Sequence, residues 1–142
     1  MAHPSPALVD LARRIVEQEA GGSPDPASSA AGVDTACLRL TDHLVDVLGA
    51  VGVSALRRRA LHLAQREQPL LARVAVSGDS DACYSGLAES LAASTREEAT
   101  AAAVTVLTHL LDLLVVLLGE ELGMKPVRKL WPRATSAREN DA

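Results

Sequence analysis

A long aliphatic run near the C-terminus limits the folds that this chain can adopt. It includes "HLLDLLVVLLGEEL" at 109–122, in which His109 and Asp112 stand among leucines and valines. A membrane-spanning helix needs about 20 mostly apolar residues, and ionisable side chains in mid-span are costly. Here the longest purely apolar stretch is 113–118. The run therefore predicts a core helix of a globular protein and not a membrane span.

The start and the faces of this helix are also readable from the sequence. The segment "STREE" at 94–98 contains two overlapping capping boxes, which predict a helix over 95–122. In a helical projection its polar residues share one narrow stripe, and the rest of the circumference is mainly Leu, Val or Ala. Such a helix lies at the centre of a bundle or is covered on a second side by dimerisation. The stripe comprises Glu98, Ala102, Thr105, His109, Asp112, Val116 and Glu120.

The rest of the chain shows apolar residues at helical spacing between breaks rich in Gly and Pro. No segment has the alternating β-branched and aromatic pattern of a half-buried strand. A chain of 142 residues is the size of one domain. We therefore expect an all-α fold, a helical bundle of five to six helices around the long apolar helix. The expected boundaries are helices at 6–20, 33–51, 55–67, 82–93 and 95–122, a short helix from Pro126, a single domain over 1–132 with a flexible loop at 21–32, and a disordered polar tail at 133–142.

Charge and composition exclude several classes of partner. The formal net charge is −4, and the chain has one Trp, one Tyr and no Phe. Nucleic-acid binding relies on basic surfaces, and single strands also need stacking rings. The N-terminus lacks a signal-peptide pattern, and two isolated cysteines fit a reducing compartment. We expect a cytoplasmic protein, bacterial by its Ala, Leu and Arg usage, that binds neither nucleic acid nor membranes.

The spacing His-x-x-Asp occurs twice, as His43 with Asp46 and as His109 with Asp112. Imidazole and carboxylate groups on facing helices hold metal ions in helical bundles. A ligand- or metal-binding bundle is therefore the alternative prediction, with an aliphatic ligand suited to a core of Leu, Val and Ala. Histidine phosphotransfer through His43, His62 or His109 is less favoured, because the basic and small residues expected after such a histidine are missing.

The outer face of the predicted helix at 55–67 is basic. Arginines held on a helix present planar donors from fixed positions, and such a face suits an acidic protein partner. The predicted partner-binding residues are Arg58, Arg59, His62 and Arg66.

Catalytic motifs are missing from the sequence. It contains no Gly-x-Ser-x-Gly, no phosphate-binding glycine loop and no His-Glu-x-x-His. We therefore expect a small non-enzymatic interaction or regulatory protein, adaptor-like and without a cofactor. The thin polar stripe of the helix at 95–122 leaves much apolar surface to cover, which predicts a homodimer formed through that helix.

Overall fold

The computed structural model describes residues 5–21, 26–77 and 83–140, with side chains as far as Ser136. Six α-helices make up most of the described chain, so the all-α bundle is confirmed. A short antiparallel pair of strands, with Ala75 opposite Ser85, is the only β-structure among the described residues. The elements are α1 (Pro6–Glu19), α2 (Pro26–Glu67), a 3₁₀ turn (Pro69–Leu71), β1 (Ala75–Val76), β2 (Tyr84–Ser85), α3 (Leu87–Ala92), α4 (Arg96–Leu118), α5 (Glu120–Leu130) and α6 (Pro132–Asn140).

Helix α4 is the long apolar helix, and it lies at the centre of the bundle. It packs against α1, α2 and α5, and its inward leucines are fully buried. Within the described residues, α4 alone has the length and composition of a membrane span, but more than half of its most apolar window is buried inside the fold. Its packing is that of a core helix.

One of the two predicted capping boxes starts α4. The Thr95 hydroxyl accepts a hydrogen bond from the Glu98 amide at 3.1 Å, and the Glu98 carboxylate accepts one from the Thr95 amide at 3.0 Å. The Ser94 hydroxyl instead donates to the carbonyl of Leu91 at 2.6 Å, at the end of α3. The cap therefore uses Thr95, and α4 begins at Arg96.

The predicted end of this helix, near residue 122, is wrong. Gly119 has φ 85° and ψ 159°, a conformation that non-glycine residues avoid, and the chain turns there into α5. Gly123, the expected terminus, lies inside α5. A Cβ atom at Gly123 would lie 2.8 Å from the carbonyl oxygen of Leu114. This glycine therefore lets α5 fold back closely onto the last turns of α4.

Helix α2 contains a second glycine-determined break. Two helices were expected on either side of Gly52, and the regular helical path is indeed broken, but the break lies at Gly49, where φ is 75° and ψ is 165°. Val47 and Val51, which the periodicity assigns to a core face, are 68% and 86% exposed. Val51 follows the kink and so leaves the face of Leu44, whereas Val47 precedes it and is exposed in an open cleft beside α5.

The flexible loop expected at 21–32 is shorter than predicted, because the segment is helical from Pro26 onward. Proline is well suited to the first turn of a helix, where its missing N–H is not needed. Gly32 is buried, and a Cβ atom there would lie 3.0 Å from the carbonyl oxygen of Val16. Close packing against α1 therefore favours a helix in the segment from Pro26 to Gly32, although its composition is typical of a loop. Residues 22–25 lie outside the described part of the chain.

The tail at 133–142, predicted to be disordered, is also helical as far as Asn140, as α6. Ala134 and Thr135 are buried, and the Thr135 hydroxyl donates to the carbonyl of Trp131 at 3.1 Å. The first turn of this polar segment thus contributes two small buried side chains, which its composition does not indicate. The last two residues lie outside the described range.

Trp131 joins three helices at this end of the bundle. Its indole N–H donates to the carboxylate of Glu19 at 2.7 Å. Arg39 pairs with the same carboxylate, and its guanidinium lies 5.5 Å from the centroid of the indole ring. The single tryptophan thus fixes the ends of α1 and α5 against α2 by packing, hydrogen bonding and a cation–π contact.

The helix expected at 82–93 is shortened to α3 because Tyr84 belongs to β2. The carboxylate of Asp34 on α2 accepts hydrogen bonds from the amides of Cys83 and Tyr84, at 2.8 and 3.1 Å. Residues 78–82 are not among those described. The contact with Asp34 holds β2 against α2 and favours extended backbone over a first helical turn.

Candidate functional site

His109 is buried and has a partner that the sequence did not suggest. Its ring hydrogen-bonds to the carboxylate of Glu67, the last residue of α2, and not to Asp112. One turn earlier on α4, Thr105 accepts a hydrogen bond from the side-chain amide of Gln68 at 3.3 Å. The polar stripe of α4 therefore faces the C-terminal end of α2, and it helps to hold the two helices together.

The two His-x-x-Asp pairs do not come together in one site. His43 and Asp46 are exposed on the first part of α2, whereas His109 is enclosed beside Glu67. Across the described ranges, no group of three or more His, Cys, Asp or Glu side chains is arranged to hold a metal ion. The residues predicted for the alternative ligand or metal site, including Asp112, are therefore not brought together in one site.

The predicted basic surface, which we call the arginine face, is exposed along α2 after the kink. None of its side chains has a hydrogen bond or an ion pair with the described part of the chain. Arg57, the first of three consecutive arginines, differs from this set. It is half-buried and donates to the hydroxyl of Thr41, while its carbonyl accepts from the Tyr84 hydroxyl at 3.1 Å. The arginine face consists of Arg58, Arg59, His62 and Arg66.

The two cysteines lie inside the fold. Cys37 and Cys83 are both buried as free thiols. Burial, together with contact with Cys83, raises the pKa of the Cys37 thiol, and burial also raises the pKa of Tyr84. Such a protonated, enclosed thiol is a poor nucleophile. This cluster therefore contributes to packing.

Sequence reasoning missed an open cleft of about 330 Å³ at the end of the bundle where α2 kinks and α4 gives way to α5. One wall is formed by α2, and the other by the end of α4 and by α5. Leu122, which lines the cleft, is 63% exposed. Leu117 and Val51, which are close in sequence to lining residues, are also exposed. We call this surface the aliphatic cleft. Its lining includes His43, Val47, Leu118, Leu122, Lys125 and Lys129.

The signal for the aliphatic cleft was present as two glycines inside strongly periodic segments. Gly49 and Gly119 both have positive φ, so each ends a regular helical path. Aliphatic residues close to both glycines are exposed, namely Val47, Val51 and Leu117. The two breaks therefore leave apolar surface uncovered at this end of the bundle.

Comparison with known proteins assigns no relative to this chain. No family model, no curated protein and no solved structure matches it. Function must therefore be inferred from its own two surfaces, the arginine face and the aliphatic cleft.

Proposed function

We propose that this protein is a small non-enzymatic adaptor of the bacterial cytoplasm that binds an acidic segment of another protein. The observation that carries the proposal is the arginine face. It presents three guanidinium groups and an imidazole on one side of one helix, and these have no partner within the described residues. A guanidinium group can bind a carboxylate through two parallel hydrogen bonds.

The local charge supports an acidic partner. The whole chain has a formal net charge of −4, so the arginine face is a positive region on an acidic protein. A localised region of opposite sign orients an approaching partner and speeds association, while the remaining surface repels acidic proteins. Binding at this face should therefore weaken as the salt concentration rises.

The rigidity of the helix under the arginine face also supports docking. On the opposite side of α2, Leu56, Ala60 and Ala64 are buried against the core. The helix is thus held by packing, and the arginines project from fixed backbone positions. Less conformational freedom is lost on binding than with arginines on a flexible tail.

The buried titratable side chains described above serve the fold and not a reaction site. The ring of His109 is bonded to Glu67, and burial raises the pKa of both Cys37 and Tyr84. These groups hold the fold together, and none of them lines the aliphatic cleft or the arginine face.

Site-specific photo-crosslinking in bacterial cells tests the proposal. A photoreactive residue replaces Ala55, which is exposed on the same side of α2 as the arginine face, and in a control it replaces Glu17, which is exposed on α1. We expect the Ala55 probe to give an adduct with a protein that is acidic at the crosslinked segment, and the Glu17 probe to give none.

Charge reversal completes this test. In the Ala55-probe protein, the substitutions Arg58→Glu, Arg59→Glu and Arg66→Glu should abolish the adduct while the helical circular dichroism signal is retained. If the adduct survives all three reversals, or if both probe positions give the same adducts, the arginine face is not the docking surface.

A further inference from the structure

The described residues that line the aliphatic cleft are either apolar or basic, and none of them is an Asp or a Glu. The apolar residues are Leu44, Val47, Leu118, Leu122 and Pro126, and the basic residues are His43, Lys125 and Lys129. Val47 and Leu122 are largely exposed. Exposed apolar surface with a polar rim is typical of a binding groove, and the sign of its charges indicates what it binds.

The register of α2 against α5 places the apolar and the basic residues at different ends of the cleft. The guanidinium of Arg39, on α2, donates to the carbonyl of Leu130, the last residue of α5, at 3.5 Å. Along α2, His43 is one turn closer to the kink than Arg39, and Val47 is two turns closer. Val47 lines the cleft together with Leu122, which is in the first turn of α5. The two helices therefore run in opposite directions along the cleft.

The basic side chains consequently share one end of the cleft, which we call the basic end. Lys125 and Lys129 are one turn apart on α5 and line the cleft from one face of that helix. His43 borders the same end from α2. None of the three has a hydrogen bond or an ion pair with the described part of the chain. The other end, where α2 kinks and α4 gives way to α5, is bordered by Val47 and Leu122.

We propose that the aliphatic cleft binds a free fatty acid, with the carboxylate at the basic end and the aliphatic chain between α2 and α5. The ammonium groups of Lys125 and Lys129 can donate to a carboxylate, and no acidic side chain of the described lining competes for them. The chain is covered by Val47 and Leu122, which removes apolar surface of both molecules from water. A cleft of about 330 Å³ is within the range of small-molecule sites, roughly 300–1,000 Å³.

Size and charge favour a fatty acid over other occupants. One turn of an α-helix with its side chains fills on the order of 500 Å³, which exceeds the volume of the cleft. An aliphatic cation would meet like charges at the basic end, and a neutral aliphatic molecule would leave the lysines unpaired. This site goes beyond the proposed adaptor function, because the arginine face lies on α2 after the kink, whereas the cleft uses the part before it.

An aliphatic ligand is also the alternative that the sequence predicts, with the two His-x-x-Asp pairs as its site. Of those four residues, His43 lines the cleft, whereas His109 is bonded to Glu67 inside the bundle. The proposed ligand therefore lies at the end of the bundle, beside α5, and does not use the second pair.

The first test is titration calorimetry of the full chain with decanoate below its micellar concentration. We expect saturable binding of one molecule per chain, with an affinity that rises by up to about fourfold for each methylene group added between hexanoate and decanoate. Val47→Glu combined with Leu122→Glu should abolish binding while the helical circular dichroism signal is retained. The control is Val9→Glu, at a valine on α1 that is 36% exposed, which should bind decanoate as the wild type does.

The second test separates the carboxylate from the aliphatic chain. Lys125→Gln combined with Lys129→Gln should weaken decanoate binding roughly tenfold or more, because two charged donors are lost. Binding of decanol, which has the same chain without the charge, should be weaker in the wild type and unchanged by these substitutions. The matched control is Arg128→Gln, at an exposed cation on the same helix that is not part of the lining, and it should leave decanoate binding unchanged.

Four outcomes would overturn the site. The first is a chain that does not bind decanoate, whether or not it sediments with phosphatidylglycerol vesicles, since sedimentation without binding would assign the cleft to a membrane surface. The second is a ligand-free dimer that Val47→Glu with Leu122→Glu dissociates, which would assign it to a second copy. The third is equal affinity of the wild type for decanol and decanoate. The fourth is decanoate binding that the two lysine substitutions weaken no more than Arg128→Gln does.

Discussion

Helix α4 has similar aliphatic residues along its length, yet its middle and its C-terminal end have different surroundings. In the middle, Leu110 has no exposed surface, because α1, α2 and α5 surround the helix. Seven residues later, Leu117 is 59% exposed. Residue type does not decide between the two environments, because both are leucines on the same helix.

Backbone geometry decides instead. Gly119 ends α4 and Gly49 bends α2 at the same end of the bundle, so neither helix continues over the other's last apolar turn. Where the chain covers its own aliphatic residues, they stabilise the fold. Where two glycines open the bundle, similar residues form the aliphatic cleft and are available to another molecule.

The largest expected effect comes from truncating one leucine at each place. Leu110→Ala removes a fully buried side chain and should lower the free energy of unfolding by about 2–5 kcal/mol. Leu117→Ala should change it by less than about 0.5 kcal/mol, as is usual for exposed positions. Urea unfolding followed by circular dichroism measures both. Equal losses would contradict the contrast between the two environments.

The glycines that open the bundle give the next largest effect. Gly119→Ala forces a side chain into a left-handed conformation, although no atom lies within 4 Å of the added Cβ. The cost is therefore one of backbone strain, about 1–3 kcal/mol. Gly52→Ala is the control, because Gly52 lies inside α2 and has no positive φ, and its added Cβ would meet only the Leu48 Cβ, at 3.1 Å. A thermal unfolding series that gives the two substitutions the same cost would show that the conformation of Gly119 is not what separates α4 from α5.

The sequence predicts the helix starts, because a helix cap depends on residues that are close together in the chain. Ser5 accepts a hydrogen bond from the Leu8 amide at 3.2 Å and caps α1 where a helix was expected to begin, at residue 6, and Thr95 begins α4 as its capping box predicts. Breaks were predicted after residues 51 and 122 but lie earlier, at Gly49 and Gly119, because sequence alone does not show which of two nearby glycines leaves the helical conformation. The conformation of a glycine depends on contacts made elsewhere, such as the close approach of Gly123 to α4.

The candidate sites show the same difference between features set by nearby residues and features set by residues far apart in the sequence. Exposure of the arginine face was predicted correctly, since helical periodicity alone places Arg58 and Arg66 on the outer side of α2. The partner of His109 was not predicted, because Glu67 is 42 residues away in sequence. The aliphatic cleft was missed for a similar reason, because its two walls come from α2 and α5.

Loss of a hydrogen bond in the polar stripe of α4 should lower the free energy of unfolding by less than the substitutions above. Glu67→Ala leaves the buried ring of His109 without its hydrogen-bond partner, which should cost about 1–2 kcal/mol. The cost is at the lower end of the usual range because Glu67 itself is half-exposed. The matched control is Glu17→Ala, at an exposed glutamate, which should change the free energy of unfolding by less than about 0.5 kcal/mol. Indistinguishable urea midpoints for the two would mean that the contact does not stabilise the α2–α4 interface.

The two ends of α4 also differ in how strongly local sequence defines them, and the N-terminal cap tests this. Thr95→Ala should lower the free energy of unfolding by about 1 kcal/mol through loss of the acceptor for the Glu98 amide. Ser94→Ala should cost less, because the Ser94 hydroxyl bonds to the end of α3 and takes no part in the cap. If Ser94→Ala proves the more costly of the two in thermal unfolding, the cap has been assigned to the wrong residue.

The smallest effect concerns the charge within this cap. Hydrogen bonds from the Thr95 backbone, together with the Thr95 side chain, lower the pKa of Glu98 from its ordinary value. A carboxyl group with a lowered pKa in the folded state stabilises the fold above its unfolded-state pKa, and this contribution disappears as the pH falls through the folded-state value. The stability of the wild type should thus exceed that of Glu98→Gln at neutral pH, and the two should converge in acid. If the difference persists undiminished in acid, the cap works without the carboxylate charge, and hydrogen bonding alone defines the start of α4.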